Sequence, residues 1–180
     1  KAHLLALPYW DPTRADGRSS AAMFSMLQRV HALKAAGRDV TLWAYQPSTA
    51  RPRGFDQSYT EIEMAGLLMD AAYARPDAIV LALGGSFHAR KTIAPQYGFL
   101  FAAGHLKAGN IVSLRTAFQG GRTWACFGEA PCGDTDLGQG DFGHERRGVI
   151  LEPQNDGAYD GLLALGPTTA SPPARAAVAP

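Results

Sequence analysis

Apolar residues in this chain fall into two kinds of run, and their spacing sets the expected elements. Met23, Leu27, Val30 and Leu33, with Phe24 and Met26 alongside, recur at helical spacing and mark one face of a helix. Ser19 or Ser20 precedes that stripe and can cap the first free amides. Gly37 follows it, where helices commonly end. From about Tyr59 to Ala74, the residues Ile62, Ala65, Leu68, Met69 and Ala72 give the inner side of a second helix. The other runs are short: His3 to Trp10, interrupted by Pro8, Asp39 to Tyr45 with strand-like Val40, Leu42 and Trp43, and the continuous Ala78 to Leu83 with β-branched Ile79 and Val80. All three read as strands, and Ala78 to Leu83 fits one buried on both faces.

The predicted order is therefore strand, helix, strand, helix, strand. Right-handed crossovers turn that order into a parallel sheet covered by helices on both faces. Asp11 to Arg18 reads as a loop, and Gln46 to Ser58 as a long rim loop. Further on, Tyr97 to Leu106 predicts a short helix ending near His105. Asn110 to Phe118 and Arg122 to Phe127 read as strands joined by a hairpin turn at Gln119-Gly120-Gly121. Gly128 to Gly148 reads as a Gly- and Asp-rich loop, and Val149 to Leu151 and Leu162 to Leu165 as added edge strands. The expected fold class is α/β, a mainly parallel sheet with helices on both faces and C-terminal strands free to pair antiparallel. One domain is expected over residues 1–166, followed by an extended Pro-rich tail over 167–180.

Composition narrows the function classes. A chain of 180 residues can bury about 70% of the surface its unfolded form exposes. Its 46% hydrophobic and 18% charged residues are those of a globular protein. A net charge of +1 gives no electrostatic argument for nucleic acid or an anionic membrane. No apolar stretch approaches the roughly 20 residues of a membrane span. The first residue is Lys1 rather than methionine, which reads as a processed form or a portion of something longer. The two cysteines, Cys126 and Cys132, lack the Cys-x-x-Cys spacing of zinc and redox motifs. Two alternatives stand: a short-loop disulfide in a periplasmic or secreted protein, or two free thiols in the cytoplasm.

Candidate chemistry centres on the end of the third apolar run. There Gly84 and Gly85 break the strand, and His88 follows as the first titratable group at the sheet rim. His88 is a candidate general base or metal ligand; the plainer reading is a turn-capping histidine. Arg18, at the start of a helix, can hold an anionic oxygen bidentately or fix its own loop through Asp16. Glu61 lies in a first helical turn, where the dipole alone favours a carboxylate unless it points at His88. Trp10, Asp16, Ser86 and Phe87 complete the candidate rim as substrate-binding residues. His31 reads as a helix-surface residue.

Gly85-Ser86-Phe87-His88-Ala89 resembles the Gly-x-x-His motif of the Tiki/TraB and erythromycin-esterase/ChaN-like group, the haem-binding-uptake Tiki superfamily. Asp16-Gly17-Arg18-Ser19-Ser20 and Glu61-Ile62-Glu63-Met64-Ala65 add to the likeness. Gly121 to Cys126, Tyr159-Asp160-Gly161 and Ala170-Ser171-Pro172-Pro173 are similar to segments of uncharacterised bacterial members. Two positions depart from the pattern: Ser86 stands where asparagine is usual, and Thr60 where arginine often precedes the acid. The group's Gly-Glu-x-His segment has no match and is expected before Lys1.

The resemblance implies an EreA/ChaN-like fold and a hydrolase of esterase or peptidase type acting on a small-molecule or peptide substrate. His88, with Glu61 and Arg18, would carry catalysis, either as general base on water or as ligand of a divalent metal ion. Other members bind haem. The rival expectation is therefore a non-catalytic haem, iron or small-anion binding protein, its pocket lined by Trp10, Tyr45 and Phe87 with His88 on the iron. No Gly-x-Ser-x-Gly elbow and no His-Glu-x-x-His helix occurs.

Overall fold

The computed structural model describes residues 2–12, 17–47, 54–126, 131–138, 147–153 and 156–175. They gather into two compact units. The first comprises Lys1–Leu42, Phe118–Glu145 and Leu165–Pro180, and the second Trp43–Ala117 and Arg146–Ala164.

In the first unit, the strand expected over His3 to Trp10 does not form. Helix α1 (Ala2–Leu5) and a 3-10 turn (Pro8–Trp10) occupy that segment. Pro8 is the physical reason, because its fixed φ suits the first position of a helical turn and it has no amide to give a ladder. The amides of Trp10 and Asp11 bond back to the carbonyls of Leu7 and Pro8 at 3.0 and 3.1 Å. Trp10 is only 3% exposed, with ring centroids 5.1 Å from Tyr9 and 5.4 Å from Phe24, both edge to face.

Helix α2 (Ala21–Ala35) follows the expected pattern closely. Ser20 caps it, accepting the Met23 amide at 3.4 Å. Gly37 has φ +77°, and the amides of Gly37 and Arg38 bond to Lys34 and Leu33 carbonyls, the paired bonds of a glycine C-cap. Phe24 is its buried residue, and His31 lies exposed on its surface. The tail, whose residues 176–180 lie outside the described residues, is tied through Ser171 and Pro172 to the start of this helix. Pro172 carbonyl accepts the Ala21 amide at 2.8 Å, and Ser171 Oγ accepts the Ala22 amide at 2.9 Å.

Strands β1 (Leu114–Ala125), β2 (Gly133–Asp136), β3 (Gly148–Ile150) and β4 (Gly161–Thr168) form a sheet in the order β2-β1-β4-β3. The outer pairs are antiparallel and β1–β4 is parallel, so the protein is α/β with a mixed sheet. The expected hairpin at Gln119-Gly120-Gly121 is absent, because β1 runs straight through it. A Cβ on Gly121, at φ +105°, would lie 2.2 Å from Thr168 O and 2.5 Å from Thr168 N. The glycine thus permits a close backbone approach inside a strand rather than a turn.

The hairpin lies one element later, between β1 and β2, within the stretch expected to be loop. Its register sets Arg122 opposite Asp136 and Ala125 opposite Gly133, so the next pair is Cys126 and Cys132. They are disulfide-bonded, with Cα atoms 4.0 Å apart. Phe127 of the expected strand and residues 128–130 and 139–146 of the expected loop lie outside the described residues. β3 is an edge strand as expected; β4 is interior, between β1 and β3.

In the second unit, helix α3 (Gln57–Ala74) is capped by Asp56, which accepts the Tyr59 amide at 3.1 Å. Its buried face is Thr60, Glu61, Met64, Ala65 and Ala71, while Ile62 and Met69 are exposed. The helix is therefore rotated about one position from the expected phase, bringing a carboxylate inward. A one-turn helix, α4 (Ser86–Ala89), carries His88. A 3-10 helix, Ala102–His105, replaces the expected short helix, with His105 at its end. Asp39 to Tyr45 and Ala78 to Leu83 form no strand. Ile79 and Leu81 are 95% and 92% exposed, so strand-like composition has not produced a ladder there. Among the described residues, no helix is long and apolar enough to cross a membrane.

Two outcomes follow for stability. Gly37→Ala meets open space and should lose only left-handed strain, about 1–2 kcal/mol. Gly121→Ala adds overpacking against Thr168 and should lose about 3 kcal/mol or more. Denaturant titration of both variants measures the difference, and equal losses would remove the close-approach account. The native protein should weigh about two daltons less than its reduced form, and reduction should cost about 2 kcal/mol of stability. Two alkylatable thiols in native protein would contradict the disulfide.

Candidate functional site

Helix α3 begins one turn before Glu61, and its buried face turns that side chain away from solvent. Glu61 is 0% exposed. His88 Nδ1 lies 2.9 and 3.0 Å from its two carboxylate oxygens. The Ala102 amide donates to Oε2 at 2.9 Å, and Gln57 Nε2 donates to Oε1. Every partner is a donor, which suits an acceptor-only carboxylate.

That geometry fixes the chemistry available to His88. With the Nδ1 proton given to Glu61, Nε2 carries the lone pair. Nε2 makes no hydrogen bond among the described residues, and the side chain is 30% exposed. The pair thus has a buried orienting acid and a partly exposed imidazole. The plainer reading of Glu61, a carboxylate favoured by the helix dipole alone, gives way to the alternative that it points at His88.

The short helix α4 is held from outside, since one turn has too few internal bonds to persist alone. Tyr159 donates its hydroxyl to Ser86 O at 2.9 Å. The Lys91 amide donates to Ala158 O at 2.9 Å, and Ser113 Oγ donates to Ala89 O. Asp160 accepts from Lys91 Nζ at one oxygen and from the Ser113 amide at the other, the latter at 2.8 Å. Burial pushes the Tyr159 hydroxyl above its ordinary value, so it remains a donor at neutral pH. Tyr45 donates to Leu83 O at 2.6 Å. Burial and then the charge of Glu61 push its hydroxyl up as well.

Beside the pair is a cluster of rings. Phe87 stacks on Phe101 with centroids 5.7 Å apart and meets Tyr97 edge to face at 5.4 Å. Phe101 is buried, while Phe87 and Tyr97 are partly open to solvent.

Of the sequence candidates, Glu61, Ser86, Phe87 and His88 share the second unit, and Glu61 and His88 touch. Ser86 contributes its backbone carbonyl to the Tyr159 bond. Trp10 and Arg18 belong to the first unit. There Trp10 is a core ring against Phe24, and Arg18 is exposed in the turn before α2, its carbonyl accepting Tyr9 Oη at 3.0 Å. Asp16 lies outside the described residues. Gln57, Ala102, Ser113, Lys91, Tyr159 and Asp160 were missed as supports. Gln57 alone had a local signal, four residues before Glu61 on one helix face.

Glu61 is occupied by three donors, and among the described residues no group of three or more His, Cys, Asp or Glu side chains could hold an ion. The described donors do not fit a metal centre.

Asp160 makes the network sensitive to acid. Lys91, then the Ser113 amide, hold its carboxyl below the ordinary 3.8. A lowered folded value means that its contribution is present above 3.8 and disappears as pH falls through the folded value. Asp160→Asn should be less stable than the parent near neutrality, with the gap closing below the ordinary carboxyl value. Unfolding curves across that range check the sign; a gap that widens on acidification would contradict it. Comparison of the chain with protein-family models, with curated proteins and with solved structures gave no match.

Proposed function

We propose that this protein is a hydrolase of esterase or peptidase type, with His88 as general base and Glu61 as its orienting partner. The single observation that supports the reading is the contact of His88 Nδ1 with a fully buried carboxylate at 2.9 Å. Nε2 would accept a proton from water as the water oxygen attacks a carbonyl carbon. The Nε2 proton then passes to the departing alkoxide or amine, while Glu61 keeps its bond to Nδ1–H throughout.

The same reading includes membership of the Tiki/TraB and erythromycin-esterase/ChaN-like group and a small-molecule or peptide substrate. It also includes an EreA/ChaN-like fold. The Cys126–Cys132 disulfide supports a periplasmic or secreted setting. A second reading, haem or small-anion binding without turnover, draws on an Nε2 that makes no hydrogen bond among the described residues, in a unit that also presents Phe87 and Tyr97.

The decisive variant is His88→Asn, whose amide nitrogen can replace Nδ1 as donor to Glu61 but cannot accept the proton of water. His88→Ala is less informative, because it leaves a buried carboxylate short of a donor at a cost of about 1–3 kcal/mol. Against a panel of nitrophenyl esters and fluorogenic peptides, His88→Asn should lower turnover by about 100-fold or more. Its stability should stay within about 1 kcal/mol of the parent. Turnover equal to the parent's would overturn the base assignment. Absent turnover with haem absorbance that depends on His88 would select the second reading.

A further inference from the structure

His88 is set by two groups of bonds. One is its own contact with Glu61; the other fixes the backbone of α4, and the segment Ala158–Tyr159–Asp160 supplies most of it. The start of α4 is tied by Tyr159 Oη to Ser86 O at 2.9 Å. Its exit is tied by the Lys91 amide to Ala158 O at 2.9 Å. Asp160 then links the two remaining supports. Its carboxylate accepts Lys91 Nζ and the Ser113 amide, and its own amide donates to Ser113 O at 2.7 Å. Ser113 in turn donates its hydroxyl to Ala89 O, within α4. Asp160 immediately precedes β4, so the supports issue from the start of an interior strand of the sheet.

By contrast, α4 has little of its own. Its N-cap, Gly85, makes no side-chain bond, and none of its residues is buried. Its own backbone bonds, Ala89 amide to Gly85 carbonyl at 3.3 Å and Arg90 amide to Phe87 carbonyl at 3.0 Å, close one turn only and leave much of the imidazole's placement to the external ties.

We propose that Tyr159 and Asp160 are positioning residues: together they clamp both ends of the His88 turn and hold Nδ1 in register with Glu61. This inference rests on the hydrolase reading for its kinetic consequence but not for its structural one. A clamp of this kind sets how often the imidazole is productively oriented. It therefore bears on kcat, since misplacement of a catalytic group by about 1 Å can cost 100-fold.

The test uses the full chain carrying Tyr159→Phe, which removes only the hydroxyl, with Asp160→Asn as the second variant. The first readout is the nitrogen-15 histidine spectrum, with the His88 signals assigned by their loss in His88→Asn. The parent should show the Nδ1–H tautomer. Both variants should show it averaged with the other tautomer, and the Nδ1 proton should exchange with solvent at least about tenfold faster. The second readout is nitrophenyl ester turnover, where kcat should fall about 10- to 100-fold with KM within about twofold. A folded Tyr159→Phe or Asp160→Asn protein with the parent His88 spectrum overturns the proposal. Loss of the spectral signature in a protein that hydrolyses nothing retains the clamp and removes the hydrolase reading. If Tyr159→Phe does not fold, Asp160→Asn alone decides by the same two readouts.

Discussion

Glu61 is a carboxylate with no exposure to water, and much of the second unit's local order follows from the need to satisfy it. Stranding a buried charge by deleting its partner costs about 3–5 kcal/mol, a large part of any domain's stability. Three donors prevent that loss, and they come from three places. Gln57 is one turn earlier on the same helix, His88 is on α4, and Ala102 opens the 3-10 helix. The Ala102 amide is the kind of group a helix start leaves without an internal partner. Glu61 therefore closes an orphan donor as it meets its own requirement. One carboxylate sets the mutual position of three elements.

Because Glu61 is an acceptor, His88 is left asymmetric. Its Nδ1 is committed inward and its Nε2 is not, and the imidazole stays partly open to solvent. Burial of the acid and partial exposure of the base are consequences of one placement. The ring cluster of Phe87, Tyr97 and Phe101 lies along the same stretch of chain, since Phe87 precedes His88 and Phe101 precedes Ala102. Apolar cover and polar pairing are thus delivered by neighbouring residues of the same two elements.

Local rules were legible where the interaction was local. The cap at Ser19 or Ser20, the Gly37 stop, the helix from about Tyr59 to Ala74 and the disulfide offered for Cys126 and Cys132 beside two free thiols all depend on residues a few positions apart. Pro8 overrode the apolar run around it, because a fixed φ and a missing amide act on the backbone directly. Gly121 misled for the reverse reason: its turn-like composition answers to Thr168, a residue 47 positions away by the numbering, which no local pattern reveals. The phase of α3 failed for a similar reason. Hydrophobicity alone puts Ile62 inward, but the donors waiting at His88 and Ala102 favour Glu61 there. Glu61 and His88 were each visible as candidates, whereas the bonds from Tyr159, Asp160 and Ser113 join segments that sequence spacing does not connect.

Ala78 to Leu83 exposes the limit of composition most clearly. Its residues favour a pleated, buried environment, yet Ile79 and Leu81 stand almost wholly open to solvent. A strand requires a neighbour for its amides and carbonyls, and propensity does not create one. The residues immediately after it are ordered by other means. Leu83 O is taken by Tyr45, Ser86 O by Tyr159, and Ala89 O by Ser113. His88 is consequently positioned by discrete hydrogen bonds on both sides of α4, not by a continuous ladder leading into it. Directional bonds of this kind fix orientation more sharply than apolar contact does, which is the property an orienting acid and base need. The same arrangement concentrates the site's precision in a few hydroxyl, amide and carboxylate groups, so the loss of one is felt at the imidazole before it is felt by the fold.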